Sequence, residues 1–277
     1  MEYQEFKEEL KKELRKSFPD YFVEEPFEDN ITVRVPEKAM GPSCRVKELY
    51  KERQEVDREL MEILIRNIQY VIENMPEVDR SILKDFEKAK DKIFPVLIPA
   101  GKVRDNAISE VFTDGIRCGV RMNIGGGTCL CTKGMCRDWG VTEEEVLKAA
   151  KGNTKGENAG IIEDVCQKIA SKLPKDDIMG MLEMEPSERM YVIETQRTQF
   201  GASAILQSGV QKELEKIFGS RFVILPCSIH EVLVVKYTDD LETYKEMVVS
   251  ANLTDIREED FLSNNVLVYE NGEIREV

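Results

Sequence analysis

Met190 to Glu194 (MYVIE), Ala202 to Phe218 (ASAILQSGVQKELEKIF), Phe222 to Leu225 (FVIL), Val232 to Tyr237 (VLVVKY), Leu241 to Asn252 (LETYKEMVVSAN) and Val266 to Tyr269 (VLVY) decide the fold. Short runs of β-branched and aromatic residues alternate there with longer runs of helical period. The order is βαββαβ. Leu241, Tyr244, Met247, Val248 and Ala251 form one apolar stripe on the second helix. Two helices with one such stripe each predict a four-stranded antiparallel sheet covered on one face.

Upstream, residues 174–188 carry Pro174 and Pro186, clustered acids and no clean period, the pattern of a linker. This predicts two domains, residues 1–175 and residues 189–277. Within the first, Phe6, Leu10, Leu14 and Phe18 place one apolar stripe on an opening helix. Tyr21 to Phe27 and Ile31 to Val35 then flank Asp29 and Asn30 as a hairpin. Apolar residues from Val46 through Val56 to Met75, closed by Pro76, predict one long helix lying over a central antiparallel sheet. Strands are expected at Phe94 to Ile98, Gly115 to Ile124 and Gly127 to Thr132, the last two joined at Gly125 and Gly126. Thr142 and Glu145 have the spacing of a capping box, with Val141 and Val146 as the flanking apolar pair. A further helix is expected from Ile161 through Val165, Cys166 and Ile169 to Leu173. The fold class is therefore α+β, with helices packed on antiparallel sheets.

Composition narrows the functional classes. Asp and Glu number 53 against 39 Lys and Arg, a formal net charge of -14. Such a field repels phosphate backbones and anionic lipid heads, so a protein is the expected partner, with no direct nucleic acid and no membrane. Residues 1–16 lack the uninterrupted apolar core of an export signal. Cysteine appears 7 times, an odd count without framework spacing, which points to reduced thiols and a cytoplasmic location. Composition fixes no oligomeric state.

One segment concentrates reactive groups. Cys227, Ser228, His230 and Glu231 lie within Leu225-Pro-Cys-Ser-Ile-His-Glu231, and His230 is the chain's single histidine. A nucleophile, a base and an orienting carboxylate are the parts of covalent catalysis. Neighbours on an extended segment point to alternate faces, however, so a turn-stabilising histidine is the expectation and no catalytic residue is assigned. Cys129 and Cys131, with Cys118 and Cys136 nearby, lack the spacing of a zinc knuckle and read as core residues, so no metal and no cofactor is expected. Gly125, Gly126 and Gly127 precede a strand where a phosphate loop needs a helix, and read as a hairpin tip. Met179, Met181 and Met184 read as packing under a loop.

Phe200-Gly-Ala-Ser-Ala-Ile-Leu206, Phe222 to Val232, Met247-Val248 and Leu262-Ser-Asn264 resemble a bacterial family of domains of unknown function, the one numbered 5688, from Gram-positive gut anaerobes. The likeness reaches back through Phe86 to Ile93 and Trp139 to Glu145, about the last two-thirds of the chain. It implies that Pro226 to Glu231 is the family's signature and lends no activity. Members typically carry Ser at the position of Cys227 and apolar residues at those of Cys129 and Cys131. The leading expectation is a non-catalytic interaction or regulatory protein with an acidic surface. Its rivals are a hydrolase or transferase using His230 with Ser228, Cys227 or Glu231, and an acidic decoy of a nucleic-acid-binding partner.

Overall fold

A computed structural model describes residues 2–27, 29–36, 41–52, 58–75, 79–125, 127–170, 183–197 and 199–277. Val56, Pro76, Gly126, Leu173, Pro174, Met179 and Met181, singled out above, lie outside them. The chain divides into two compact units: residues 1–80 with 124–127, and residues 81–123 with 128–277.

The first unit opens with α1 (Tyr3–Ser17), followed by β1 (Phe22–Phe27), β2 (Asn30–Arg34) and β3 (Ser43–Arg45) in an antiparallel sheet of that order, then α2 (Val46–Glu52) and α3 (Arg58–Glu73). The predicted stripe of α1 is fully buried at Phe6, Leu10 and Leu14, and shares a core with Ile31 and Val33 of β2 and Leu60, Ile68 and Ile72 of α3. The long helical run therefore serves this small sheet, whereas its period predicted a cover for the central one. Periodicity reports that a face is apolar, not which partner buries it. Asp29 turns the hairpin at φ 62, a conformation Asp tolerates, and its carboxylate accepts from Tyr3 and Lys7.

In the second unit, α4 (Phe86–Ala89) precedes β4 (Ile93–Pro99), β5 (Ser109–Val111), β6 (Ile116–Asn123) and β7 (Thr128–Leu130). β6 is the hub of this antiparallel sheet, with β4 on one side and both β5 and β7 on the other. Gly125 takes φ 78 at the β6–β7 tip, and the Ile124 amide bonds the Gly127 carbonyl, as a tight hairpin requires. Next come α5 (Lys133–Trp139) and α6 (Glu143–Gly152), whose capping box forms as the Thr142 and Glu145 spacing predicts.

The expected helix from Ile161 to Leu173 is instead a strand, β8 (Gly160–Asp164), followed by α7 (Val165–Ala170), with the Asp164 carboxylate accepting from the Cys166 amide. Pairing of β8 with β9 (Tyr191–Thr195) overrides the local helical period. That pairing also joins the two sides of the 174–188 stretch in one sheet, so the compact units part at Arg80 and not there.

The remaining elements are a 3-10 segment (Gly201–Leu206), α8 (Ser208–Phe218), β10 (Arg221–Leu225), β11 (Val232–Lys236), α9 (Leu241–Thr254), β12 (Leu267–Glu270) and β13 (Glu273–Glu276). The βαββαβ order is present, in a sheet of six strands rather than four, ordered β13-β12-β10-β11-β9-β8. The run predicted as one helix over 202–218 breaks at Gln207, whose side chain accepts from the Gly160 amide and donates to the Asn158 carbonyl.

The two helices cover opposite faces, not one. β9 and β10 are parallel with β11 between them, and β11 and β12 are parallel with β10 between them. Both crossovers travel toward the same edge but start from antiparallel strands, so right-handed connections place α8 and α9 on opposite sides. Side-chain alternation agrees. Phe222, Ile224, Val232 and Val234 share a core with Val210 and Leu214 of α8, while Val223, Leu225 and Val235 pack with Val248 of α9. The α8 face also receives Leu97, Ile116 and Cys118 from the β4–β6 sheet.

Candidate functional site

The Pro226 to Glu231 segment connects β10 to β11, and its backbone is held from two directions. The amides of Leu262 and Ser263 bond the carbonyls of Cys227 and Pro226, and the Ala202 amide bonds the Ile229 carbonyl. Three of the segments that carry the family resemblance, Phe200 to Leu206, Phe222 to Val232 and Leu262 to Asn264, therefore meet at one corner of the six-stranded sheet.

Gly201 is required there by close approach. A Cβ on it would stand 2.5 Å from the His230 carbonyl oxygen and 2.7 Å from the Thr195 amide nitrogen. Phe200, just before it, adopts φ 60 and ψ 24, a left-handed conformation costly for an aromatic residue. Three contacts hold it: its amide donates to His230 Nδ1 at 3.1 Å, its carbonyl accepts from the Ser203 hydroxyl at 3.2 Å, and the Arg121 guanidinium stands 4.5 Å from its ring centroid.

An Nδ1 that accepts a backbone N–H leaves the ring proton on Nε2, which bonds Asp260 Oδ1 at 2.9 Å. Arg257 bonds the other oxygen of Asp260 from Nε at 2.8 Å. Burial raises the Asp260 carboxyl, but its hydrogen bonds from His230 and Arg257 outweigh that and hold it below the usual range. Both imidazole nitrogens thus serve one relay from Arg257 to the Phe200 backbone.

The other members of the cluster point elsewhere. Ser228 is buried, and its Oγ accepts from the His230 amide at 2.9 Å, a local turn contact. Cys227 packs with the α9-side core, and burial pushes its thiol up to about 11, far from thiolate character at neutral pH. Glu231 is half-buried immediately before β11. Among the other thiols, Cys131 and Cys136 are buried; Cys118 is also buried, and its thiol is pushed up to about 12, chiefly by desolvation. Cys129 is half-buried in β7.

Beside Phe200 lies a cavity of about 320 Å³, the lower end of the range for small-molecule sites. Val96, Ile98, Ala107, Leu130, Phe200 and Ile229 supply its apolar wall, and Lys102, Arg104, Arg121 and Glu259 its charges. His230 does not line it; its neighbour Ile229 and its bonded partner Phe200 do.

Arg121 and Phe200 were not singled out from the sequence as site residues, although a signal for Arg121 is present. Along β6, Ile116, Cys118, Val120 and Met122 are all buried, so alternation sets Arg117, Gly119 and Arg121 on the opposite face. Each arginine is clamped to the adjoining strand, Arg117 to Ser109 and Arg121 to the hydroxyl and carbonyl of Thr128, at 2.9 and 3.1 Å for the latter. Asp260 is fixed by its tertiary contacts and carries no sequence signal.

A family model described as a family of unknown function, DUF5688, matches residues 3–271. The match extends the resemblance through the N-terminal helix and hairpin. No curated protein and no solved structure matches the chain.

Proposed function

Since the chain belongs to DUF5688, a family of unknown function, its role has to be read from its own site, and we propose a non-catalytic small-molecule-binding protein with a regulatory role. The observation that carries this reading is the division of labour at Phe200. His230 spends both ring nitrogens on positioning Phe200, and Phe200 forms a wall of the cavity. A general base needs a nitrogen available to the proton it abstracts, and here Nδ1 already accepts a backbone N–H. The strained turn, its histidine support and the adjacent cavity together describe a shaped receptor, in keeping with strain stored where a ligand is held.

Ligand binding to the folded state raises the melting temperature by mass action. A metabolite library screened by thermal shift is expected to yield stabilising compounds whose effect disappears in Leu130→Trp, which fills the cavity. A broad hydrolase and transferase panel is expected to give no turnover. Turnover abolished by His230→Ala would overturn the proposal in favour of catalysis. In a chain of net charge -14, a cytoplasmic protein partner for the ligand-bound form completes the regulatory reading.

A further inference from the structure

The cavity's charge is opposite to that of the chain. The sequence carries a formal net charge of -14, yet the cavity is lined by Lys102, Arg104 and Arg121 against one carboxylate, Glu259. We infer that the cavity's ligand is a small organic anion, a carboxylate or phosphate ester on an apolar body, with Arg121 as its principal anchor. This rests on the small-molecule reading above and specifies the chemistry of the ligand.

Arg121 is half-buried, whereas Lys102 and Arg104 are exposed at the rim. Its two bonds to Thr128 fix the guanidinium plane and use Nε and Nη2, leaving donors of the fork uncommitted. Among the described residues no carboxylate lies within ion-pairing distance of it. Desolvation disfavours its charged form, an effect that the neighbouring Cys129 and Cys131 offset only in part. A half-buried cation with no facing carboxylate among the described residues is an unfavourable arrangement on its own, and an anion seated beside Arg121 relieves it. A preorganised planar fork matches a carboxylate or phosphate in two-point contact.

The neutral end of the ligand has its complement in Val96, Ile98, Leu130, Phe200 and Ile229. Arg121 also packs on the Phe200 face, so anion binding and the strained turn share one side chain. The exposed cations Lys102 and Arg104 attract anions toward the mouth of a molecule whose overall field repels them.

The test uses the full chain and probes paired by shape: 3-phenylpropanoate with 3-phenylpropanamide, and hexanoate with hexanamide. Binding is followed by melting temperature and by the Arg121 Nε–H resonance, assigned through Arg121→Lys. The carboxylates are expected to bind at least tenfold more tightly than their amides and to shift the Arg121 resonance. Arg121→Gln is expected to level the two members of each pair, and Arg121→Lys to retain the preference. Equal affinity for acid and amide in the wild-type chain would overturn the anion assignment and leave the cavity reading standing. No binding by any probe, with an unmoved Arg121 resonance, would overturn both. Should Arg121→Gln fail to fold, the wild-type comparison and Arg121→Lys decide the matter alone.

Discussion

Phe200 is the residue through which the site is organised. It sits in a left-handed conformation, receives support from His230 Nδ1 on its amide, and carries Arg121 on its ring. Two substitutions separate the strain from the packing. Phe200→Ala and Phe200→Gly both lose the ring, but glycine adopts φ 60 without a steric penalty. The alanine variant is expected to be the less stable by about 1 kcal/mol, measured by urea unfolding at equal slope. Equal stabilities would mean that the backbone relaxes out of the left-handed region when the ring is removed. The histidine illustrates what proximity in sequence conceals. Cys227, Ser228, His230 and Glu231 are neighbours in the chain, yet Cys227 joins the core on the α9 side while the His230 ring bonds residues thirty positions away in either direction, Phe200 and Asp260.

At the scale of elements, the six-stranded sheet divides its side chains between two cores. Leu214 of α8 lies fully buried on one face, and Val248 of α9 lies buried on the other. Leu214→Ala is expected to cost about 3 kcal/mol and Val248→Ala about 2 kcal/mol. In the double variant the losses are expected to add to within about 0.5 kcal/mol, because the sheet separates the two cavities. A coupling above about 1 kcal/mol, read from chemical unfolding of all four proteins, would place both helices in one core. The helix periods made the apolar stripes legible, as did the strand alternation, although Met247, read as part of the α9 stripe, is exposed. The choice of face was not, because it follows from the lateral order of β9, β11, β10 and β12, which no local pattern encodes.

At the scale of the whole molecule, the two units can be followed by separate probes. Trp139, the chain's one tryptophan, is buried in the second unit. In the first unit, hydrogen bonds from Lys11 and Lys7 outweigh burial and lower the Glu25 carboxyl to about 2 from 4.5. A carboxyl depressed in the folded state adds stability above its unfolded value and loses it as pH falls through its folded value. Glu25 therefore supports the first unit at pH above about 4.5, and that support fades toward pH 2. Glu25→Gln is expected to weaken the first unit at neutral pH and to flatten its acid dependence in this window, read by circular dichroism. Trp139 emission is expected to follow the same acid course in both proteins. A Trp139 transition displaced along with the dichroism would show that the two units unfold as one.

Much of the architecture was determined by sequence alone: the α+β class, the apolar face of α1, the β6–β7 turn at Gly125, the Thr142 capping box and the βαββαβ order. Each depends on interactions within a few residues, where spacing and stereochemistry are sufficient. The register of β8 on β9, the opposite faces of α8 and α9, and the corner where Phe200, His230 and Asp260 meet were decided only by tertiary structure. These join segments far apart in the chain, and their free energy comes from surfaces and hydrogen bonds that exist only once those segments are packed together.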